Sequence, residues 1–89
     1  MNKLTDEQKK MLKNMGALGY KARKIASIMG LDEEEVDDQL STPGSEFYRV
    51  YQEGADYAAY LIDLNLFEMA QAGDIKAIDK LEQRKRTSK

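Results

Sequence analysis

An all-α fold is the prediction for this chain of 89 residues. Apolar residues recur at spacings of three and four along most of its length, residue pairs that cap helices stand just before these runs, and glycines follow them. Thr5 and Gln8 form a capping box, and Met11, Leu12, Met15 and Leu18 give one apolar stripe, so a first helix is expected from about Asp6 to Ala17, ended by Gly19. Tyr20 or Lys21 opens a second helix carrying Ala22, Ile25, Ala26, Ile28 and Met29, and Gly30 supplies the turn after it. Asp32 with Glu35 three residues on starts a short third helix anchored by Val36 and Leu40. Ser41-Thr42-Pro43-Gly44 is the strongest break, because proline cannot continue the preceding helix. Ser45 then caps a helix reaching about Ala72, roughly 40 Å at 1.5 Å per residue. Gly73 ends it, Asp74 caps the next, and Ile75, Ala77, Ile78 and Leu81 give the last helix a narrow apolar face.

The first three helices have a more specific reading. In Ala26-x3-Gly30-x5-Val36 a small residue stands where two helices cross, a glycine makes the turn and an apolar residue anchors the next helix, which is the spacing of a homeodomain-like helix-turn-helix. The expected organisation is a helix-turn-helix unit over residues 1–40, a linker at 41–44, a helical hairpin for oligomerisation over 45–86 and a disordered tail at 87–89.

The long helix decides the expectation of self-association. At about 100° per residue, Phe47, Tyr48, Tyr51, Ala55, Ala58, Ile62, Leu66 and Met69 form one stripe, while Val50, Tyr57, Leu61 and Leu64 form a second. One stripe can cover the chain's own helices, and the other calls for another copy. Tyr51, Ala55, Ala58, Leu61, Ile62, Leu64, Leu66 and Met69 are the candidate interface. Gly54 costs about 1 kcal/mol in a helix interior. With Ala55, Ala58 and Ala59 beside it, it marks a close helix approach rather than a break.

Composition removes several functions. Cysteine and histidine are both absent, which excludes disulfides, the commonest zinc ligand sets and catalysis by thiol, Cys-His or Ser-His-Asp arrangements. Gly16, Gly19 and Gly30 sit at helix ends, outside any phosphate-loop pattern. No catalytic group, metal or cofactor is expected. Without an apolar signal core or an uncharged apolar run of about 18 residues, a soluble cytoplasmic protein away from membranes is the expectation.

Net charge is only −2, yet it is segregated. Residues 1–30 carry seven Lys/Arg against two acids, residues 31–74 one arginine against twelve, and residues 75–89 six against two. The third helix concentrates the acids: Asp32, Glu33, Glu34, Glu35, Asp37 and Asp38. Duplex DNA carries about one negative charge per ~1.7 Å of axis, so a helix this acidic repels it. Capping and the helix dipole account for part of this charge, and the remainder is a candidate surface for a basic partner. The candidate DNA contacts lie elsewhere, at Lys9, Lys10 and Lys13 on helix one, Lys21, Arg23 and Lys24 at the start of helix two, and Arg84, Lys85 and Arg86 near the end. Each basic cluster is equally readable as a solvated face.

A family resemblance bears on these alternatives. The order of a helix-turn-helix, a break ending in Ser45-Glu46-Phe47-Tyr48, the segment Tyr51-Gln52-Glu53-Gly54-Ala55-Asp56-Tyr57 and then Leu66-Phe67-Glu68-Met69-Ala70 through Leu81-Glu82-Gln83-Arg84 resembles the small terminase subunits of tailed bacteriophages and related prophage proteins. In that family a stretch like Met69-Ala70-x-x-Gly73-Asp74-x-x-Ala77 closes a helical hairpin. The resemblance covers about residues 5–86 and rests mostly on fold-determining positions. It implies a non-enzymatic, ring-forming DNA-packaging protein that binds double-stranded DNA and brings it to a large ATPase-nuclease subunit. A helical adaptor that engages a basic partner through residues 32–40 is the rival reading.

Overall fold

The computed structural model describes residues 3–87, and among these residues it contains five α-helices and no strand: α1 (Asp6–Leu18), α2 (Ala22–Met29), α3 (Glu33–Leu40), α4 (Glu46–Gln71) and α5 (Ile75–Thr87). The chain is all-α. It divides into two compact units, Met1–Ala58 and Ala59–Lys89. That division falls inside α4 rather than at the Ser41–Gly44 connection, because Phe47 and Val50 belong to the core of the first unit. The fraying tail expected at 87–89 is helical at Thr87, and residues 88 and 89 lie outside the described residues.

The helix ends follow from local chemistry. Thr5 Oγ1 accepts a hydrogen bond from the Gln8 N–H at 3.1 Å while the Thr5 N–H donates to Gln8 Oε1 at 2.9 Å, the reciprocal pair of a capping box. Asp32 Oδ2 accepts from the Glu35 N–H at 3.1 Å, Ser45 Oγ from the Tyr48 N–H at 3.0 Å and Asp74 Oδ1 from the Ala77 N–H at 3.0 Å. Gly73, at φ 94, leaves α4 in a left-handed conformation that a side chain rarely adopts, and the Asp74 N–H then bonds back to the Met69 carbonyl at 3.2 Å.

One core serves the first unit. Leu4, Leu12, Met15, Ile25, Ala26, Val36, Phe47 and Val50 are buried together, with Met11, Leu31, Leu40 and Tyr51 packed around them. What brings α1 and α4 together is a reciprocal pair of glycines. A Cβ on Gly16 would lie well under 3.0 Å from the Tyr51 carbonyl oxygen, and a Cβ on Gly54 well under 3.0 Å from that of Lys13. Each glycine therefore receives the backbone of the opposite helix. The close approach read at Gly54 is thus present, and its counterpart is Gly16, which lies within α1 rather than at its end.

Glu46 fastens the extended N-terminal segment to the start of α4. Its Oε1 accepts from the Leu4 N–H at 3.3 Å and its Oε2 lies 3.4 Å from Lys9 Nζ. Desolvation pushes the carboxyl up, but the Leu4 bond and the charges of Lys9 and Lys3 pull it down further, so the net shift is below the ordinary value. A carboxyl lowered by folding contributes stability that is complete above its unfolded value of 4.5 and is lost as pH falls through the folded value. Glu46→Gln is expected to flatten the acid limb of the melting-temperature profile below about pH 5. An unchanged limb in the variant would remove Glu46 from that role.

Candidate functional site

In the second unit the apolar residues have too little to cover them. Between Ala59 and Thr87 Ala77 is the buried apolar residue, while Tyr60, Leu61, Ile62, Leu64, Phe67, Met69, Ile75 and Ile78 all remain exposed. A pair of helices with so little interior is marginal in water, where helical stability comes mainly from packing an apolar face.

An ion pair ties the two helices of the hairpin. The Arg84 guanidinium pairs through Nε with Asp63 Oδ1, and its Nη2 reaches the Ala59 carbonyl at 3.5 Å. Beside this tie, α4 and α5 leave an open groove of about 640 Å³ lined by Tyr60, Leu64, Phe67 and Ala70 from α4 and Ile78 and Leu81 from α5, with Asp63, Glu82 and Lys85 at its border. Its walls are largely apolar side chains, which suits a protein surface better than a polar small molecule.

The candidate interface residues fall into two groups. Leu61, Ile62, Leu64 and Met69 are exposed, Leu66, Ala55 and Ala58 half-buried. Tyr51 is different: it packs against the first unit's core and its hydroxyl donates to the Tyr20 carbonyl at 2.9 Å. It is thereby committed to contacts within the chain and is removed from the interface set. Tyr60, Phe67 and Ile78, outside that set, are exposed as well. The i, i+4, i+7 spacing of Tyr60, Leu64 and Phe67 puts these three in one row.

The basic candidates are placed unequally. Lys10, Lys13, Lys21, Arg23 and Lys24 are exposed, with Lys24 Nζ 4.2 Å from the centre of the Tyr20 ring. Lys9 is drawn to Glu46, Arg84 to Asp63, and Lys85 lies 3.6 Å from Glu82. Arg84 is accordingly engaged within the hairpin. Arg86 is exposed.

The acidic helix is also divided. Asp32 caps α3, whereas Glu33, Glu34, Glu35, Asp37 and Asp38 are exposed around the buried anchor Val36. Glu33 and Asp37 line a depression of about 450 Å³ together with Lys21, Arg23, Leu40 and Tyr48. The carboxylates of α3 therefore stand beside the cations at the start of α2 and reduce the positive potential there, a juxtaposition that no linear spacing announces. Lys21 caps α2 without a side-chain hydrogen bond, which leaves the first amides of that helix to solvent or an anion.

Among the described residues no group of three His, Cys, Asp or Glu side chains is arranged to hold a metal ion. Among the described residues no helix is long and apolar enough to cross a membrane. Compared with protein-family models, with curated proteins and with solved structures, the chain matches none.

Proposed function

We propose that this chain is a non-enzymatic DNA-packaging protein of the small-terminase kind, a homo-oligomer that binds double-stranded DNA without cofactor and delivers it to a large packaging subunit in the bacterial cytoplasm. The observation that carries the self-association is the second unit, whose apolar side chains outnumber what its own two helices cover. In this reading α2 and α3 form the helix-turn-helix pair, used for shape. DNA meets the exposed cations Lys21, Arg23 and Lys24, supported by Lys10 and Lys13, with the open amino end of α2 favouring phosphate. Such contacts position a duplex without reading its sequence.

Titration of a labelled duplex between about 50 and about 200 mM salt tests this, because each phosphate contact contributes about 0.9 to the slope of log affinity against log salt. The combined variant Lys21→Glu, Arg23→Glu and Lys24→Glu is expected to weaken binding and to lower that slope by about 2 to 3. Absence of duplex binding by the natural sequence even at low salt would reject the DNA reading.

A second reading, a protein-interaction adaptor, is favoured by five exposed carboxylates on α3 and by the closeness of Glu33 and Asp37 to Lys21 and Arg23. In the same titration an adaptor leaves the duplex free at both salt concentrations. Light scattering on the protein alone measures the self-association, which both readings share.

A further inference from the structure

We propose that Glu33 and Asp37 are a built-in restraint on duplex binding: they oppose nucleic-acid phosphate at the start of α2 and keep a bound duplex loosely held. This rests on the DNA reading above and concerns the regulation of that same surface. Glu33 and Asp37 stand four residues apart on one face of α3, and both line the depression that Lys21 and Arg23 also line. Glu34 and Asp38 repeat that spacing about 100° further round the helix and are no part of the lining. The five carboxylates exposed on α3 therefore divide into a pair that shares a cavity with the cations and others that do not.

Among the described residues no ion pair closes between these two acids and the two cations. Lys21 and Arg23 thus keep their hydrogen-bonding capacity for phosphate, and the acids act on that phosphate through space. The distances are short enough to matter. A sphere of the cavity's volume, about 450 Å³, is about 10 Å across, comparable with the Debye length of about 10 Å at 0.1 M salt. Repulsion across it is therefore felt at low salt and fades as salt rises. Leu40 and Tyr48 supply walls of low dielectric, which concentrate the field inside the depression. A restraint of this kind suits a protein that hands its duplex on, because contacts with phosphate alone would otherwise hold any polyanion.

Two charge-matched variants of the full chain test the assignment. Glu33→Gln with Asp37→Asn neutralises the pair in the depression, and Glu34→Gln with Asp38→Asn neutralises two acids of the same helix outside it. Each variant loses one acid from the first turn of α3 and one from further along, and each keeps the Asp32 cap and the Val36 anchor. Effects of net charge and of helix stability are therefore common to both. With a labelled duplex at about 50 mM salt, the first variant is expected to bind about three to ten times more tightly than the natural sequence, and the second less than about twice as tightly. At about 200 mM the gain of the first should shrink to about twofold or less, which gives it the steeper salt slope. Circular dichroism checks folding; should either double variant lose helix, Asp37→Asn and Asp38→Asn alone repeat the comparison. Equal gains would make net charge the cause, and no gain in the first variant would mean that its carboxylates do not oppose phosphate. Either result overturns the restraint while DNA binding stands. If neither the natural sequence nor any variant binds the duplex at low salt, the DNA reading falls and the restraint with it.

Discussion

Gly54→Ala is expected to destabilise the first unit by about 1–3 kcal/mol, although the substitution adds a better helix former. Two effects oppose each other. Helix propensity favours alanine over glycine by about 1 kcal/mol in a helix interior. Against this, the new methyl group would overlap the Lys13 carbonyl oxygen. Its neighbour is backbone on an adjacent helix, so no side chain can rotate out of the way, and the helices must separate at the expense of the packing around Met15 and Val50, both buried. Overpacking therefore wins. For a domain of this size each kcal/mol corresponds to about 4–8 °C in melting temperature, well within the resolution of a thermal melt. Gly16→Ala should behave alike, since its methyl group meets the Tyr51 carbonyl oxygen. The double variant should fall short of the sum, because one displacement relieves both overlaps. Gly44→Ala is the control: nothing lies within 4 Å of its Cβ position and its φ is not positive. A neutral or stabilising Gly54→Ala would mean that α1 and α4 do not cross where the structure places them.

Phe47→Ala should have the larger effect. Phe47 is among the largest fully buried side chains, together with Leu12, Ile25 and Val36, so its truncation leaves a void bordered by helices that can only partly close. The expected loss is about 3–5 kcal/mol. Native domains have only about 5–15 kcal/mol to lose, and small ones stand at the lower end. The variant should show a lost or strongly lowered cooperative transition on urea denaturation, whereas Phe47→Leu, which keeps an apolar group of similar bulk, should remain folded. A Phe47→Ala change below about 1 kcal/mol would contradict the burial assigned to this ring.

Those elements governed by neighbouring residues were readable from the chain alone. Thr5 and Gln8, Asp32 and Asp74 declare helix starts because an oxygen two or three residues ahead of a free amide is a local relation. Gly19, Gly30 and Gly73 declare helix ends because the left-handed conformation they adopt is disfavoured for other residues. What escaped were relations across the fold. The spacing of Tyr51 puts it in an apolar stripe, but spacing does not say whether that stripe faces the chain's own helices or another molecule; the Tyr20 carbonyl, 31 residues away, decides it. Arg84 reads as one of three consecutive cations, and only the closing of the hairpin brings Asp63 to it. Phe67 stands in a row with Tyr60 and Leu64 that spacing shows, but only the return of α5 makes that row one wall of a groove with Ile78. Lys21 and Arg23 share one depression with Glu33 and Asp37, which brings together two helices whose charges, taken along the chain, look like separate blocks.

The facing glycines of α1 and α4 also limit how this domain can change. An overlap between two ordinary side chains can be relieved by trimming either one, so substitutions on one helix find suppressors on the other. Here both positions already hold the smallest residue available, and the atoms beyond them are main chain. No second-site replacement at either glycine can restore the lost clearance. Suppressors must instead come from residues that let the two rods slide or tilt, and a selection for them would map the mechanical freedom of the crossing.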